Sequence, residues 1–381
     1  MTRLLLLDAG SSSVKFRIIT GERVALNGQV DRVGPQARMR VDNEAYPVHA
    51  RTHTEAFSRI LELSTAVLHG DAPDAVAHRI VHGADRDRAT TLTPAILKEL
   101  DRYAARAPLH QPAQLTIARA AARAYPRARQ IGCFDTAFHR SMPAVARTYA
   151  IPRAIAREHG ISRDGYHGLA HEAMLVETAA LMGRRPYDLR IITLQLGNGV
   201  SACAIAERRS VDTTMGFTPL EGLPMGTRSG SIDPAIIPYL CERLHKTPAE
   251  VLHMLEHESG LLGIAGSHDV RDLLAREHTD AHAKLALDLL AYQIKKTIGA
   301  YTAALGHVDA IAMAGGISQS PVMRRRILHG LEGFGIALDR DATQRVDAPV
   351  QIASGDVPVF VVDGDELEIM RRQTMHVLAG T

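Results

Sequence analysis

The chain has 381 residues, 46% hydrophobic and 23% charged, which is enough for two domains that each bury a core. Its 44 basic and 42 acidic side chains nearly cancel to a formal charge of +2, which argues against nucleic acid or an anionic membrane as the main partner. Cys133, Cys203 and Cys241 are far apart and form no CxxC pair, so neither a disulfide framework nor structural zinc is expected.

In chain order, the continuous apolar run Leu4–Leu7 predicts a buried strand. Its start is too short for a signal-peptide core, and no apolar run approaches the ~20 residues needed to span a bilayer, so a cytoplasmic protein is expected. Val14–Ile19 alternates and reads as the second arm of a hairpin. Val76–Val81 and Ile131–Phe134 are further short strands, and Pro112 opens an alanine-rich helix to about Tyr125. Met142-Pro and Ile151-Pro interrupt the pattern near 138–152 and mark a boundary. Gly168–Met182 predicts a helix stopped by Gly183. Thr247-Pro-Ala-Glu is a capping box, with Gly260 just beyond the expected stop. Ala281–Leu305 is the longest helical pattern, closed by Gly306. Strands and helices alternate, which is the α/β pattern. The run Arg324–Arg326 reads as a solvated helix face.

The hairpin around Asp8–Lys15 has an echo. Ile191–Ala206 repeats the plan of strand, glycine-rich polar turn and strand, and a third turn, Ala314-Gly-Gly-Ile-Ser, follows the strand Ala310–Met313. Two halves that each open on a phosphate-sized turn suggest a duplicated fold with a cleft. Phosphate needs convergent N–H donors, and glycine lets the backbone come close enough to supply them. Asp8–Lys15 adds three hydroxyls and a lysine to such a turn; alone, it reads equally well as an ordinary hairpin.

Other phosphate and metal motifs are excluded. No GxxxxGK sequence followed by Ser or Thr is present. Gly197-Asn-Gly-Val-Ser-Ala matches GxGxxA, but an alternating strand pattern follows it where a dinucleotide site needs a helix. His167/His171 and His253/His257 have i, i+4 spacing but lack the rest of a zinc set. His167 stands beside a glycine at a helix start and is a candidate charge stabiliser, and His110 lies in a rigid turn before a helix. Arg79 ends a buried strand, and Arg228 sits in the long Gly/Pro-rich stretch 216–230. A guanidinium fork suits carboxylate or phosphate, and each arginine reads equally as a ligand contact or a structural ion pair. Asp135 stands at a strand's C-terminal end, where α/β sheets usually face their ligand, whereas Cys133 reads as core.

From Leu4 to about Gln373 the chain resembles the acetate kinase family, of the acetate and sugar kinase/actin-like superfamily. The resemblance is carried by DAGSSSVK at 8–15, AHRIVHG at 77–83, PLHQP at 108–112, CFDTAFH at 133–139 and ISRDGYHGLAH at 161–171. It continues through LGNG at 196–199, DTTMGFTPLEGLPMGTRSG at 212–230 and SGLLGIAG at 259–266. It implies a duplicated actin-like (ribonuclease H-like) α/β fold of two domains, 1–138 plus 364–381 and 139–363, with the active site in the interdomain cleft. It also implies a homodimer acting on a short-chain carboxylate and ATP or ADP, with Mg²⁺ or Mn²⁺, giving an acyl phosphate.

By the same resemblance, Arg79, Asp135, His167 and Arg228 are catalytic. Ser11, Ser13 and Lys15 line the phosphate path, and Val81, Leu109, His110, Tyr166 and Pro219 hold the acid. The nucleotide falls to Gln195, Leu196, Gly197, Asn198, Gly199, Asp269, Val270, Arg271, Gly315, Gly316, Ile317, Ser318 and Gln319. Asp8 and Asp365 hold the metal, with Glu366 one residue away. The departures are Asp8 for the usual asparagine, Asp365 for a glutamate, Gln195 for a histidine and Tyr166 for a phenylalanine. The segment 265–271 is about one residue short, and the third turn is altered. Two other readings share these motifs: a kinase with a different donor or a longer acid, and a degenerate module that binds nucleotide or acyl phosphate.

Overall fold

The computed structural model describes residues 1–42, 44–345 and 348–380. The chain divides into two units, Met1–Arg140 with the C-terminal residues from Asp365, and Ser141–Gly364.

In the first unit the described residues form one mixed sheet. Its strands are β1 (Arg3–Ala9), β2 (Ser13–Thr20), β3 (Arg23–Asp31), β4 (Arg38–Val41), β5 (Glu44–Pro47), β6 (Ala75–Ile80), β7 (Thr90–Thr91) and β8 (Arg129–Phe134), in the order β5-β4-β3-β2-β1-β6-β8-β7. β1 and β2 form the antiparallel hairpin expected around Asp8–Lys15, with Asp8 opposite Lys15. β1, β6 and β8 run parallel. Strands buried on both faces need continuous apolar sequence, as Leu4–Leu7 supplies, and those four leucines are at most 1% exposed. The helices α1 (His53–Val67) and α2 (Pro94–Asp101) each begin with a threonine cap that accepts a backbone N–H. α3 (Gln111–Ala124) packs on β1, β6 and β8, as does the C-terminal helix Glu366–Ala379.

The second unit repeats this plan. β9 (Arg190–Leu196) and β10 (Val200–Ala206) are the echoed hairpin, and β11 (Arg209–Thr213) extends it. β12 (Ala310–Ala314), β13 (Ala337–Leu338), β14 (Val350–Ser354) and β15 (Val359–Val361) complete the order β11-β10-β9-β12-β15-β14-β13. Here β9, β12 and β15 are the parallel set, matching β1, β6 and β8. The long helix Ala281–Leu305 has the bounds its periodicity predicts and buries one stripe against β9, β10 and β11.

One expectation holds and one changes. The capped helix ends at His257 with Gly260 just beyond the stop, where at φ +62° it also opens the next short helix, Gly260–Ala265. Arg324 is fully buried, not solvated, because its guanidinium donates to the carbonyl oxygens of Ser318, Thr343 and Arg345. Burial pulls its pKa downward. No helix among the described residues is long and apolar enough to cross a membrane.

Candidate active site

In the first unit the parallel strands end together, and their C-terminal edge carries the charge. Asp8 lies near the end of β1, Arg79 near the end of β6, and Asp135 immediately after β8. Arg79 Nε donates to both Asp135 oxygens at 3.2 Å, and Nη2 adds a third bond at 2.8 Å. Nη1 reaches Asp8 Oδ1 at 3.1 Å and Glu366 Oε2 at 3.2 Å. Burial opposes the arginine's charge, but the carboxylates of Asp135, Glu366 and Asp8 outweigh it and raise its pKa. Burial also pushes the Asp8 carboxyl up, yet Arg79 and Lys15 overcome this and hold it below the ordinary range. Glu366 behaves oppositely. Burial raises it to about 7 against the pull of Arg79, with Asp8 and Asp135 adding to the rise.

Asp365, the expected metal ligand, has other partners. It caps the C-terminal helix by accepting from Glu368 N at 3.2 Å, and it pairs with Arg17 at 2.8 Å. Glu366, one helical position on, is the side chain that joins Asp8 and Arg79. Among the described residues no set of three or more acidic, histidine or cysteine side chains is disposed to hold a metal alone. The donor set instead suits Mg²⁺, which takes one or two carboxylates and completes its shell with phosphate and water. Asp8 and Glu366, both within reach of Arg79 Nη1, would meet that requirement.

The turn after β1 is braced from two sides. Buried Gln114 of α3 donates to the Ala9 carbonyl at 3.0 Å and accepts from Val81 N at 2.9 Å, tying the end of β1 to the end of β6. His53 Nε2 donates to the Gly10 carbonyl at 2.9 Å. Ser11 and Lys15 are exposed and Ser13 is half-buried. Val81 is buried, and Leu109 and His110 are half-buried where α3 begins.

In the second unit, Gln195 and Leu196 end β9, and Gly197, Asn198 and Gly199 form the turn. The third turn sits directly against it. Gly315 has φ +95°, and a Cβ there would lie 2.6 Å from the Leu196 carbonyl, so no side chain fits. Gly316, Ile317, Ser318 and Gln319 follow as one 3₁₀ turn, held by Ser318 Oγ on the Gly315 carbonyl at 2.7 Å and by Arg324 on the Ser318 carbonyl. The arginine read from sequence as a solvated charge therefore braces this turn. Asp269 caps the helix Val270–Arg276, with Val270 buried, and Arg271 closes back onto Asp269 at 2.7 Å.

His167 precedes the helix Gly168–Leu181 in the left-handed region, φ 59° and ψ 24°. Such a conformation is uncommon outside glycine and concentrates at functional sites. It turns the ring toward Gly199, whose Cβ would lie 3.3 Å from His167 Nε2 and 3.7 Å from Arg228 Nη1.

Arg228 is 9% exposed, and among the described residues no carboxylate pairs with it. Its Nη1 reaches only the Pro219 carbonyl at 3.4 Å and Met225 Sδ at 3.6 Å. Burial lowers its pKa, opposed by the more distant charge of Glu256. The stretch 214–230 that carries it is tied down at both ends. Gly226 N donates to Asn198 O, and Arg163 bonds Glu221 at 2.7 Å and the carbonyls of Thr213 and Thr214. Tyr166 is buried, and its hydroxyl donates to the Phe217 carbonyl at 2.8 Å, so this substitution puts its polar atom on the backbone.

Sequence reasoning left Gln114 and Arg324 without these roles, and left open whether Asp365 or Glu366 serves the metal. Gln114 had a visible signal in the PLHQP motif that ends two residues before it; the roles of Arg324 and Glu366 depend on how helices dock.

Two mixed sheets, each built on a β-hairpin followed by parallel strands, with covering helices, define an α/β two-domain fold of the actin-like class. A profile of the acetokinase family matches residues 3–372, and the chain belongs to that family. It is 42% identical over its full length to the full-length acetate kinase of Leifsonia xyli. It is 39% identical to that of Oceanobacillus iheyensis, over 99% of both chains. Among solved structures it resembles Porphyromonas gingivalis acetate kinase, with TM-score 0.89, 32% identity, and 99% and 100% of the two chains covered. It also resembles a Francisella tularensis propionate kinase, with TM-score 0.90, 29% identity, and 98% and 99% covered.

Proposed function

We propose that this protein is an acetate kinase, transferring the γ-phosphoryl group of ATP reversibly to acetate, with propionate as a second acid. The observation that carries the reading is Arg228. A buried guanidinium with no internal carboxylate is costly unless an anion arrives to meet it, and this reaction brings a carboxylate and phosphates.

In the forward step a carboxylate oxygen bonds the γ-phosphorus while the bond to the β-bridging oxygen breaks, leaving acyl phosphate and ADP. The nucleophile is already an anion at neutral pH and needs no general base. Asp135 therefore acts by fixing Arg79 through three hydrogen bonds. Arg79 and Arg228 neutralise the carboxylate and the transferring group, and His167 stabilises charge on that group. Positioning and charge neutralisation are the main requirements of such a transfer.

The first unit supplies the Ser11, Ser13 and Lys15 turn, Val81, Leu109 and His110. The second supplies Tyr166, Pro219 and the nucleotide turns at Gln195–Gly199, Asp269–Arg271 and Gly315–Gln319. Asp8 and Glu366 would hold Mg²⁺, which when bound offsets phosphate charge. We further propose a cytoplasmic homodimer. Three unbridged cysteines support the compartment, and exposed Tyr239, Leu285 and Tyr292 support a contact through the second unit.

The test is a hydroxamate assay for acyl phosphate, run over acids from formate to butyrate with several nucleotide donors and Mg²⁺. Acetyl hydroxamate with ATP is expected. No acyl phosphate under any pairing would overturn the reading in favour of a binding module.

A further inference from the structure

Behind His167 runs a chain of side-chain hydrogen bonds that the reaction above does not use. His167 Nδ1 lies 2.9 Å from Ser201 Oγ, Ser201 Oγ lies 2.9 Å from His171 Nε2, and His171 Nδ1 lies 2.8 Å from Thr193 Oγ1. Ser201, His171 and Thr193 are all fully buried. The elements explain the alignment. His167, just before the helix, and His171, in its first turn, both bring a ring nitrogen to the Ser201 hydroxyl. Ser201 of β10 and Thr193 of β9 project from neighbouring strands toward these rings.

Each hydroxyl has one hydrogen, and a neutral imidazole has one donor and one acceptor nitrogen, so the chain can run in only two directions. In one, Thr193 donates to its weaker alternative, the Cys203 carbonyl at 3.4 Å, and every other hydrogen points away from His167. That contact exceeds the usual O–H···O range of about 2.5–3.0 Å. In the other, Thr193 donates to His171 Nδ1 at 2.8 Å, His171 Nε2 donates to Ser201, and Ser201 donates to His167 Nδ1. Only the second keeps every bond short.

We propose that Thr193, His171 and Ser201 are a positioning relay that holds His167 as the neutral tautomer with its hydrogen on Nε2. That nitrogen is the one against Gly199 and on the Arg228 side. His167 then meets a phosphoryl oxygen as an oriented N–H donor, while the positive charge comes from the arginines. A cationic His167 would put a second hydrogen on Nδ1, facing the hydrogen of Ser201, and the whole chain would have to reverse. The strained left-handed backbone at His167 fits this role, because it sets the ring where Ser201 can reach it. This inference rests on the acyl-phosphate reading for its rate effect but not for the tautomer.

The experiment has two arms. In the first, ¹⁵N shifts of histidine-labelled protein, with His167→Gln to assign the signal, report which His167 nitrogen is protonated at neutral pH. A protonated Nε2 and bare Nδ1 are expected in wild type, with this pattern lost in Ser201→Ala. A hydrogen on Nδ1 of wild-type His167 would overturn the relay. In the second arm, Ser201→Ala should lower kcat by ~10²-fold with KM for acid and nucleotide within about two-fold, the size of an outer-shell positioning effect. Ser201→Thr keeps the hydroxyl and should recover most of the rate, which separates the relay from a folding defect. An unchanged kcat in Ser201→Ala would overturn the positioning role. Absence of acyl phosphate from wild type would overturn the functional reading instead, and the spectrum alone would then decide the tautomer.

Discussion

Asp365 and Glu366 are consecutive residues that serve different partners: Asp365 bonds Arg17 at 2.8 Å, and Glu366 reaches Arg79 at 3.2 Å beside Asp8. If Glu366 and Asp8 hold the metal, Glu366→Gln raises the Mg²⁺ concentration for half-maximal activity by ~10-fold or more. Asp365→Ala leaves it unchanged and costs about 1 kcal/mol of stability, the value of a helix cap. Asp8→Asn makes the same exchange of a carboxylate for an amide that keeps one oxygen donor, and raises the Mg²⁺ requirement by a similar factor. Titrating activity against Mg²⁺, with thermal melts alongside, separates these; a shift in Asp365→Ala equal to that in Glu366→Gln contradicts the assignment.

The two buried arginines should respond oppositely to neutralisation. Arg79→Met strands Asp8, Asp135 and Glu366 and destabilises the fold by about 3–5 kcal/mol. Arg228→Met removes a buried charge that no carboxylate among the described residues pairs with, so its melting temperature stays level or rises. Both variants lose activity, Arg228→Met by ~10³-fold in kcat/KM, as for lost transition-state charge stabilisation. Denaturant unfolding beside the hydroxamate assay checks this, and marked destabilisation by Arg228→Met would count against an unpaired arginine.

His78 predicts an acid sensitivity. It is fully buried, its Nε2 bonds Gln130 Oε1 at 2.9 Å, and its Nδ1 has no partner among the described residues. Burial lowers its pKa to about 4 from an ordinary 6.5. The unfolded chain therefore takes up a proton first as pH falls. Its contribution is complete above pH 6.5 and declines by about 3 kcal/mol down to pH 4. Unfolding free energies across that window should show a shallower slope in His78→Gln than in wild type; parallel slopes would refute it.

Gln195 ends β9 with its amide near the turn, 3.8 Å from where a Gly197 Cβ would stand. An amide donates a hydrogen bond but carries no charge. Gln195→His should raise kcat several-fold, most strongly at lower pH where imidazole is protonated. Steady-state kinetics from pH 6 to 8 test this, and an unchanged kcat throughout rejects it.

Much of this protein is local in origin and so was open to a reading of its sequence. The helix Ala281–Leu305 follows from apolar spacing and Gly306, and the helix after Thr247 follows from its cap. The two hairpins follow from their alternation around glycine-rich turns. Family motifs spread over the whole chain identified the chemistry. What the tertiary structure decided is which side chain meets which. Successive helical residues point about 100° apart, so only the docking of the C-terminal helix sends Glu366 rather than Asp365 to Arg79. Arg324 is buried because carbonyls at Ser318, Thr343 and Arg345 converge on it, a condition no local pattern encodes. The relay behind His167 likewise needs a helix and two strands in register, because hydrogen bonds depend on distances that only the folded chain sets.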